Sequence, residues 1–183
     1  EFLKAEPGAE KWLRRIIGGD ELINGLERWC LWLVDATPTE LREMPLVLER
    51  VEKVRKDRLQ SGKARTRDWA ARPALFSENR QPVKDYLAIP KVSSERRPVM
   101  PIDYVKANVI ASGSVLTVQG ATYYHFGVLT SSMHMAWMRA VCGRLESRYQ
   151  YSASIVYNNF PWPEQPTAAQ QAGVEKAAQG VLE

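Results

Sequence analysis

Arg148-Tyr-Gln-Tyr-Ser-Ala-Ser-Ile-Val-Tyr-Asn-Asn-Phe-Pro-Trp-Pro163 crowds aromatic rings, side-chain amides and prolines into one short segment. Its end, Asn159-Phe-Pro-Trp162, is one residue away from an Asn-Pro-Pro-aromatic sequence. In that pattern a stiff proline pair presents a hydrogen-bonding edge beside a stacking ring. Phe160 stands where the first proline would. A catalytic loop of this kind serves a parallel sheet with a glycine-rich cofactor loop. The alternative is structural: Phe160 and Trp162 close a core, and Pro161 and Pro163 end a domain. The rest of the chain decides between these folds.

The motifs of the first alternative are missing. The chain has no Gly-x-Gly-x-x-Gly, no P-loop and no Gly-x-Ser-x-Gly, which removes the signatures of dinucleotide, nucleoside triphosphate and serine-hydrolase chemistry. Amino-group DNA methyltransferases pair the Asn-Pro-Pro-aromatic motif, which grips a flipped base, with a glycine-rich loop for S-adenosylmethionine. No such loop occurs here. The two histidines, in Tyr123-Tyr-His-Phe126 and Ser132-Met-His-Met135, lie in apolar company and read as packing residues. Cys30 and Cys142 are far apart and read as buried reduced thiols. With His125 and His134 they give too few ligands at too wide a spacing for zinc.

Periodicity supplies the element order. Glu10 to Ile17 reads as a short helix stopped by Gly18-Gly19, and Asn24-Gly25 as a turn. Arg28 to Val34 reads as a buried strand. Thr37-Pro-Thr-Glu40 is a capping box that starts a long helix running to about Gln60. Leu41, Met44, Val47, Leu48, Val51 and Val54 form its inner face, with Lys53, Arg55, Lys56 and Arg58 outside. Lys63 to Arg72 is a loop or short helix at the surface. Tyr86 to Val92 is a strand whose Pro90 requires an edge or an end, and Ser93 to Arg97 is a polar connection. Two β-like runs, Val99 to Val105 and Val115 to Val118, precede a helix over Tyr123 to Leu145. A last helix covers Thr167 to Leu182. This order predicts an α+β fold: a mixed domain with a small, mainly antiparallel sheet flanked by several helices. Residues 1–163 form that domain, and 164–183 begin a helical C-terminal region.

The 183 residues carry a net charge of +4, unevenly placed. Residues 49–72 hold nine basic against four acidic side chains, and residues 80–106 hold six against three. Residues 1–48 reverse the balance, six against nine. A basic focus between milder ends favours a polyanion, although a solvated helix would give the same count. No apolar run approaches the ~20 residues of a membrane helix, so no membrane partner is expected. The chain opens on Glu1 with neither an initiator Met nor a signal peptide, and is expected to be a cytoplasmic piece of a longer polypeptide.

Within the basic region, Ser93-Ser-Glu-Arg-Arg97 hangs from a strand end. Arg grips guanine O6 and N7 while Glu accepts from cytosine N4, so Glu95 and Arg97 could read one G·C pair. An internal Glu–Arg salt bridge would use the same residues, and the charge pattern leaves both readings open. A further reader is expected within Lys63 to Arg72. Phosphate contacts are assigned to Lys63, Arg65, Arg67, Lys91, Ser93, Ser94, Arg96 and Arg148.

Leu87-Ala-Ile-Pro-Lys-Val-Ser-Ser-Glu-Arg-Arg97, Tyr124-His-Phe-Gly-Val-Leu-Thr-Ser-Ser-Met-His-Met-Ala-Trp-Met-Arg-Ala-Val-Cys-Gly-Arg-Leu145, Tyr149-Gln-Tyr-Ser and Tyr157-Asn-Asn-Phe-Pro-Trp-Pro163 together resemble the target recognition domain of MmeI-like type II restriction–modification enzymes. The resemblance runs from about Leu22 to Pro163 and is weakest over Arg55 to Gln81. It implies a non-catalytic reader of double-stranded DNA that clamps the duplex with the methyltransferase domain of the same polypeptide. The parent would be a site-specific adenine methyltransferase with a possible endonuclease. It would bind S-adenosylmethionine, and Mg for any nuclease, outside this fragment. Two alternatives stand beside this reading. One is a methyltransferase in its own right. The other is a scaffold between nuclease and methyltransferase parts that uses Met133, Met135, Trp137 and Met138, a stripe that ordinary core packing would equally produce.

Overall fold

The structure is a computed structural model that describes residues 1–182. In chain order its regular elements are α1 (Phe2–Ala5), β1 (Leu13–Ile17), α2 (Gly19–Asn24), β2 (Trp29–Leu31), α3 (Pro38–Arg42), α4 (Pro45–Leu59) and α5 (Ala64–Asp68). These are followed by β3 (Tyr86–Pro90), β4 (Val92–Ser93), β5 (Asp103–Val105), β6 (Ile110–Ala111) and β7 (Val115–Gln119). The chain ends with α6 (Tyr123–Thr130), α7 (Ser132–Val141), β8 (Gly143–Leu145), β9 (Arg148–Gln150) and α8 (Ala168–Leu182). Small, mainly antiparallel sheets among several helices make an α+β fold. Among the described residues no helix is long and apolar enough to cross a membrane. Two compact units form: Glu1–Arg15 with Trp29–Arg80, and Ile16–Arg28 with Gln81–Glu183.

In the first unit, Leu13, Arg14 and Arg15 pair antiparallel with Leu31, Cys30 and Trp29. The helix expected over Glu10 to Ile17 is therefore a 3₁₀ turn (Pro7–Trp12) followed by a strand. Paired apolar residues fit either period, and strand partners distant in sequence settle the choice. The expected buried strand over Arg28 to Val34 shrinks to β2, and Trp29 is 56% exposed. Cys30 and Cys142 are half-buried rather than buried.

The capping box forms as expected. Thr37 Oγ1 accepts from the Glu40 amide, and Glu40 Oε2 accepts from the Thr37 amide. Hydrogen bonds from Lys11 and Thr37 hold the Glu40 carboxyl down at about 2. The long helix breaks at Pro45, which has no amide hydrogen and clashes with a preceding turn. The new N-terminus is capped from a distance: the buried Glu6 carboxylate accepts from the amides of Leu46 (2.6 Å) and Val47 (3.0 Å). A carboxylate there satisfies orphan donors and complements the helix dipole. Ala9, Leu33, Met44 and Val47 form the core of this unit, with Trp12, Leu41 and Val51 against it. Two residues depart from their expected faces. Val54 is 37% exposed. Arg58 turns inward and donates to the carbonyls of Trp69 (2.9 Å), Arg72 (2.9 Å) and Leu75 (2.7 Å), ordering the segment after α5.

The second unit is built on β3, which is fully buried and lies between β5 and β7 in antiparallel register. Pro90 ends this strand opposite Val115. Tyr86 Oη donates to the Val109 carbonyl. Ile16 and Ile17 pair in parallel with Ile110 and Ala111. Leu87, Ile89, Phe126, Leu129, Met135, Met138, Tyr151 and Val156 share one core. The helix expected over Tyr123 to Leu145 is interrupted by Ser131, whose hydroxyl accepts from the His134 amide and donates to the Val128 carbonyl. Gly143 then begins a strand. The apolar spacing survives the interruption because α6 and α7 bury their stripes in the same core.

Helix α8 packs on α6 at Gly127. A Cβ there would meet Val174 Cγ1 at 2.7 Å and the Val174 carbonyl oxygen at 3.1 Å. Helix propensity alone would make Gly127→Ala stabilising by about 1 kcal/mol. A γ-methyl group and a backbone oxygen cannot easily yield, and overpacking costs about 1–3 kcal/mol. Thermal unfolding of Gly127→Ala should therefore show a lower midpoint than wild type. A higher midpoint would rule out this close approach.

Candidate nucleic-acid interface

Strands β4, β9 and β8 form a small antiparallel sheet in the second unit, with Val92 opposite Gln150, Ser93 opposite Tyr149 and Arg144 opposite Tyr149. The chain leaves β4 in a tight turn. The Arg97 amide donates to the Ser94 carbonyl (3.2 Å), and the Arg96 amide donates to Ser94 Oγ (3.2 Å). Beside this turn lies the tip of the β8–β9 hairpin, where Glu146 has a φ of 57°. A non-glycine residue in that left-handed region stores about 1–2 kcal/mol. The Arg148 guanidinium donates to Glu146 Oε2 at 3.1 Å.

The sheet thus brings Glu95, Arg96, Arg97 and Arg148 to one end of its strands. Ser147 Oγ donates to Glu95 Oε2 at 3.2 Å. The ion partner of Glu95 is Arg96, at 3.8 Å, and not Arg97. Arg96 has 91% of its side chain exposed. Among the described residues the Arg97 guanidinium has no hydrogen-bond or ion-pair partner. A carboxylate with open lone pairs beside an uncommitted guanidinium has the donor and acceptor inventory of a base-edge reader.

Other residues singled out from sequence have different surroundings. Ser93 is 2% exposed, with its hydroxyl enclosed and unpartnered among the described residues, because its strand position points into the core. Lys91 is half-buried and donates from Nζ to the Gly113 carbonyl at 2.6 Å. Ser94 spends its hydroxyl on its own turn. Two residues of the β8–β9 hairpin were not singled out by sequence. Arg144 lies over the Tyr149 ring at 4.2 Å and donates to the Ser147 carbonyl at 3.1 Å, while Ser147 holds Glu95. Only the cross-strand register reveals the Arg144–Tyr149 pair.

Lys63, Arg65 and Arg67 belong to the first unit. Lys63 precedes α5, and Arg67 donates to the Ser61 carbonyl at 2.8 Å. Arg65 is exposed. A cleft lined by Arg58, Lys63, Arg65, Thr66, Trp69, Ser77 and Glu78 runs beside them. Its chemistry is cationic and hydroxyl-rich with one aromatic wall, which suits an anionic chain carrying planar groups.

The near-motif segment serves packing. Asn159 Nδ2 donates to the carbonyls of Ser154 (2.8 Å) and Ile155 (3.2 Å), closing a short π-helix over Ala153–Tyr157. Phe160 is 5% exposed and meets His134 edge-on at 4.6 Å. His134 is buried, shares a 3.0 Å hydrogen bond with Tyr151 Oη, and is pushed down to about 4 by desolvation. His125 Nδ1 accepts from the Thr122 amide at the start of α6. Met135 and Met138 are core residues, whereas Met133 is 69% exposed.

Comparison with known proteins supplies the relatives of this architecture. The family model for the target recognition domain of MmeI matches residues 1–164. DNA methyltransferase A of Bacillus subtilis (strain 168) is 34% identical over 177 residues, which cover 97% of this chain and 20% of that protein. The structure of the type IIL restriction–modification enzyme MmeI in complex with DNA matches with a TM-score of 0.95 at 50% identity, over 99% of this chain and 24% of that one. The chain spans about a fifth to a quarter of the length of these relatives.

Proposed function

The chain belongs to the MmeI target recognition domain family, and on that premise we propose that it reads the sequence of double-stranded DNA for a restriction–modification polypeptide of which it is one part. The observation that carries this reading is one end of the β4–β9–β8 sheet, where Arg97 has no hydrogen-bond or ion-pair partner among the described residues, Glu95 of the same turn is held by Ser147, and Arg96, Arg144 and Arg148 lie on the same turn and the adjoining hairpin. A base-edge reader needs one donor and one acceptor group free to face a groove, within cations that bind phosphates of any sequence. Arg97 and Glu95 take the first role. Arg96 and Arg148 take the second, as do Lys63, Arg65 and Arg67 on the first unit.

Chemistry on the DNA is assigned to other parts of the parent. A methyltransferase domain would bind S-adenosylmethionine and flip the target adenine, which a duplex otherwise hides. Any nuclease would bring its own Mg. The match to DNA methyltransferase A and to the DNA-bound MmeI supports this division. The relatives' lengths leave ample chain for both activities.

Titration of the chain onto a duplex at several salt concentrations tests the reading. Binding should weaken steeply as salt rises, because each neutralised phosphate releases counterions. Arg148→Ala should weaken all duplexes alike and lower the logarithmic salt slope by about 1. Binding that ignores salt, or that is absent at low ionic strength, would overturn the proposal.

A further inference from the structure

We propose that Ser147 is a positioning residue for sequence discrimination: its hydroxyl holds the Glu95 carboxylate in the orientation that reads a base edge. This rests on the reading of Glu95 and Arg97 given above. Glu95 is followed in its own turn by two arginines, the exposed Arg96 and the half-buried Arg97. Left alone, a carboxylate beside guanidinium groups folds onto one of them. Pairing with Arg97 would use up the donor and the acceptor needed for readout together. In the structure Glu95 instead accepts from Ser147 Oγ at 3.2 Å, and its other oxygen stands 3.8 Å from Arg96 Nε. An ionised carboxylate offers about four acceptor sites, so one hydroxyl fixes its orientation and leaves room for a cytosine amino group.

The hairpin tip is built to deliver that hydroxyl. Its backbone is held at Glu146 in a left-handed conformation (φ 57°). The Ser147 carbonyl accepts from Arg144 at 3.1 Å, and Arg144 is laid over the Tyr149 ring at 4.2 Å. Tyr149 in turn pairs with Ser93, the last residue of β4 before the reading turn. Tyr149, Arg144, Ser147 and Glu95 therefore form one continuous path from the buried sheet to the reader. Strain held in a loop beside a functional group is a recurring way of fixing its geometry.

The test uses the full-length parent protein and a pool of duplexes randomised across the bound site, with recovered sequences scored position by position. Glu95→Ala identifies the position that Glu95 reads. Ser147→Ala is expected to reduce the preference at that same position about threefold to tenfold, the range of a typical single intramolecular hydrogen bond. Preferences elsewhere should stand, which also shows that the variant is folded. Ser147→Thr, which keeps the hydroxyl, should restore the preference. If Glu95→Ala flattens one position while Ser147→Ala leaves it unchanged, or weakens every position equally, Ser147 does not position Glu95 and the reading of Glu95 stands. If Glu95→Ala flattens no position, both fail.

Discussion

Arg97→Ala is expected to lower discrimination at one base pair by about 1–3 kcal/mol while leaving binding to unrelated duplexes nearly intact. The size follows from geometry. A guanidinium that donates two parallel bonds to guanine O6 and N7 loses both when the base pair is changed or the side chain is removed. The selectivity of the loss follows from the surroundings. Arg97 has no hydrogen-bond or ion-pair partner among the described residues, so truncation breaks no polar contact inside the protein. Arg96, with 91% of its side chain exposed, and Arg148 remain as the proposed phosphate contacts. Arg97→Lys should recover part of the general affinity but little of the discrimination, since an ammonium cannot present the planar fork. Competition binding of a specific duplex against its single-pair variants measures the effect. Uniform weakening across all duplexes would make Arg97 a phosphate contact and sink its reading role.

Phe160→Ala is expected to destabilise the chain by about 3–5 kcal/mol, the usual cost of emptying a buried aromatic site. Phe160 packs edge-on against His134 (4.6 Å) and Trp162 (5.4 Å) and lies 6.3 Å from Trp137. Such ring pairs add to simple burial. His134 meets Phe160 on one side and Tyr151 on the other, so the cavity would open beside a buried polar ring. Against a total stability of about 5–15 kcal/mol, this is a large fraction. Phe160→Pro, which completes the Asn-Pro-Pro-aromatic pattern, should be no milder. The Phe160 amide donates to the Tyr157 carbonyl at 3.3 Å, and proline removes that donor. Denaturant unfolding midpoints decide the matter. A loss below about 1 kcal/mol for Phe160→Ala would return the segment to the surface and reopen a catalytic reading.

The features legible in the sequence are those that neighbouring residues enforce on each other. Thr37 and Glu40 cap a helix through bonds three residues apart, and Asn24-Gly25 supplies the left-handed residue that ends α2 at a φ of 64°. The apolar β3 segment and the amphipathic stripes of α6 and α7 are readable because burial repeats along them. A phosphate cradle or a nucleophile elbow is a local loop of this kind, legible on the same ground.

What the sequence by itself determined is an α+β chain with a basic middle, an aromatic segment near its end that packs into the core, and a polar Glu-Arg-Arg connection after a strand. Only the tertiary structure decided which residues work together there. Leu13 to Ile17 became a strand because partners at Trp29–Leu31 and Ile110–Ala111 complete its hydrogen bonds. Glu6 became a helix cap because Pro45 opened a helix end whose Leu46 amide lies 40 residues away. Arg58 turned from a solvated face to three backbone carbonyls. Ser93 went inward and Ser147 came to hold Glu95, from 52 residues along the chain. Local pattern records what a residue prefers, but a hydrogen bond or ladder closed across tens of residues depends on the folded path, and its energy exceeds the tenths of a kcal/mol that separate local preferences.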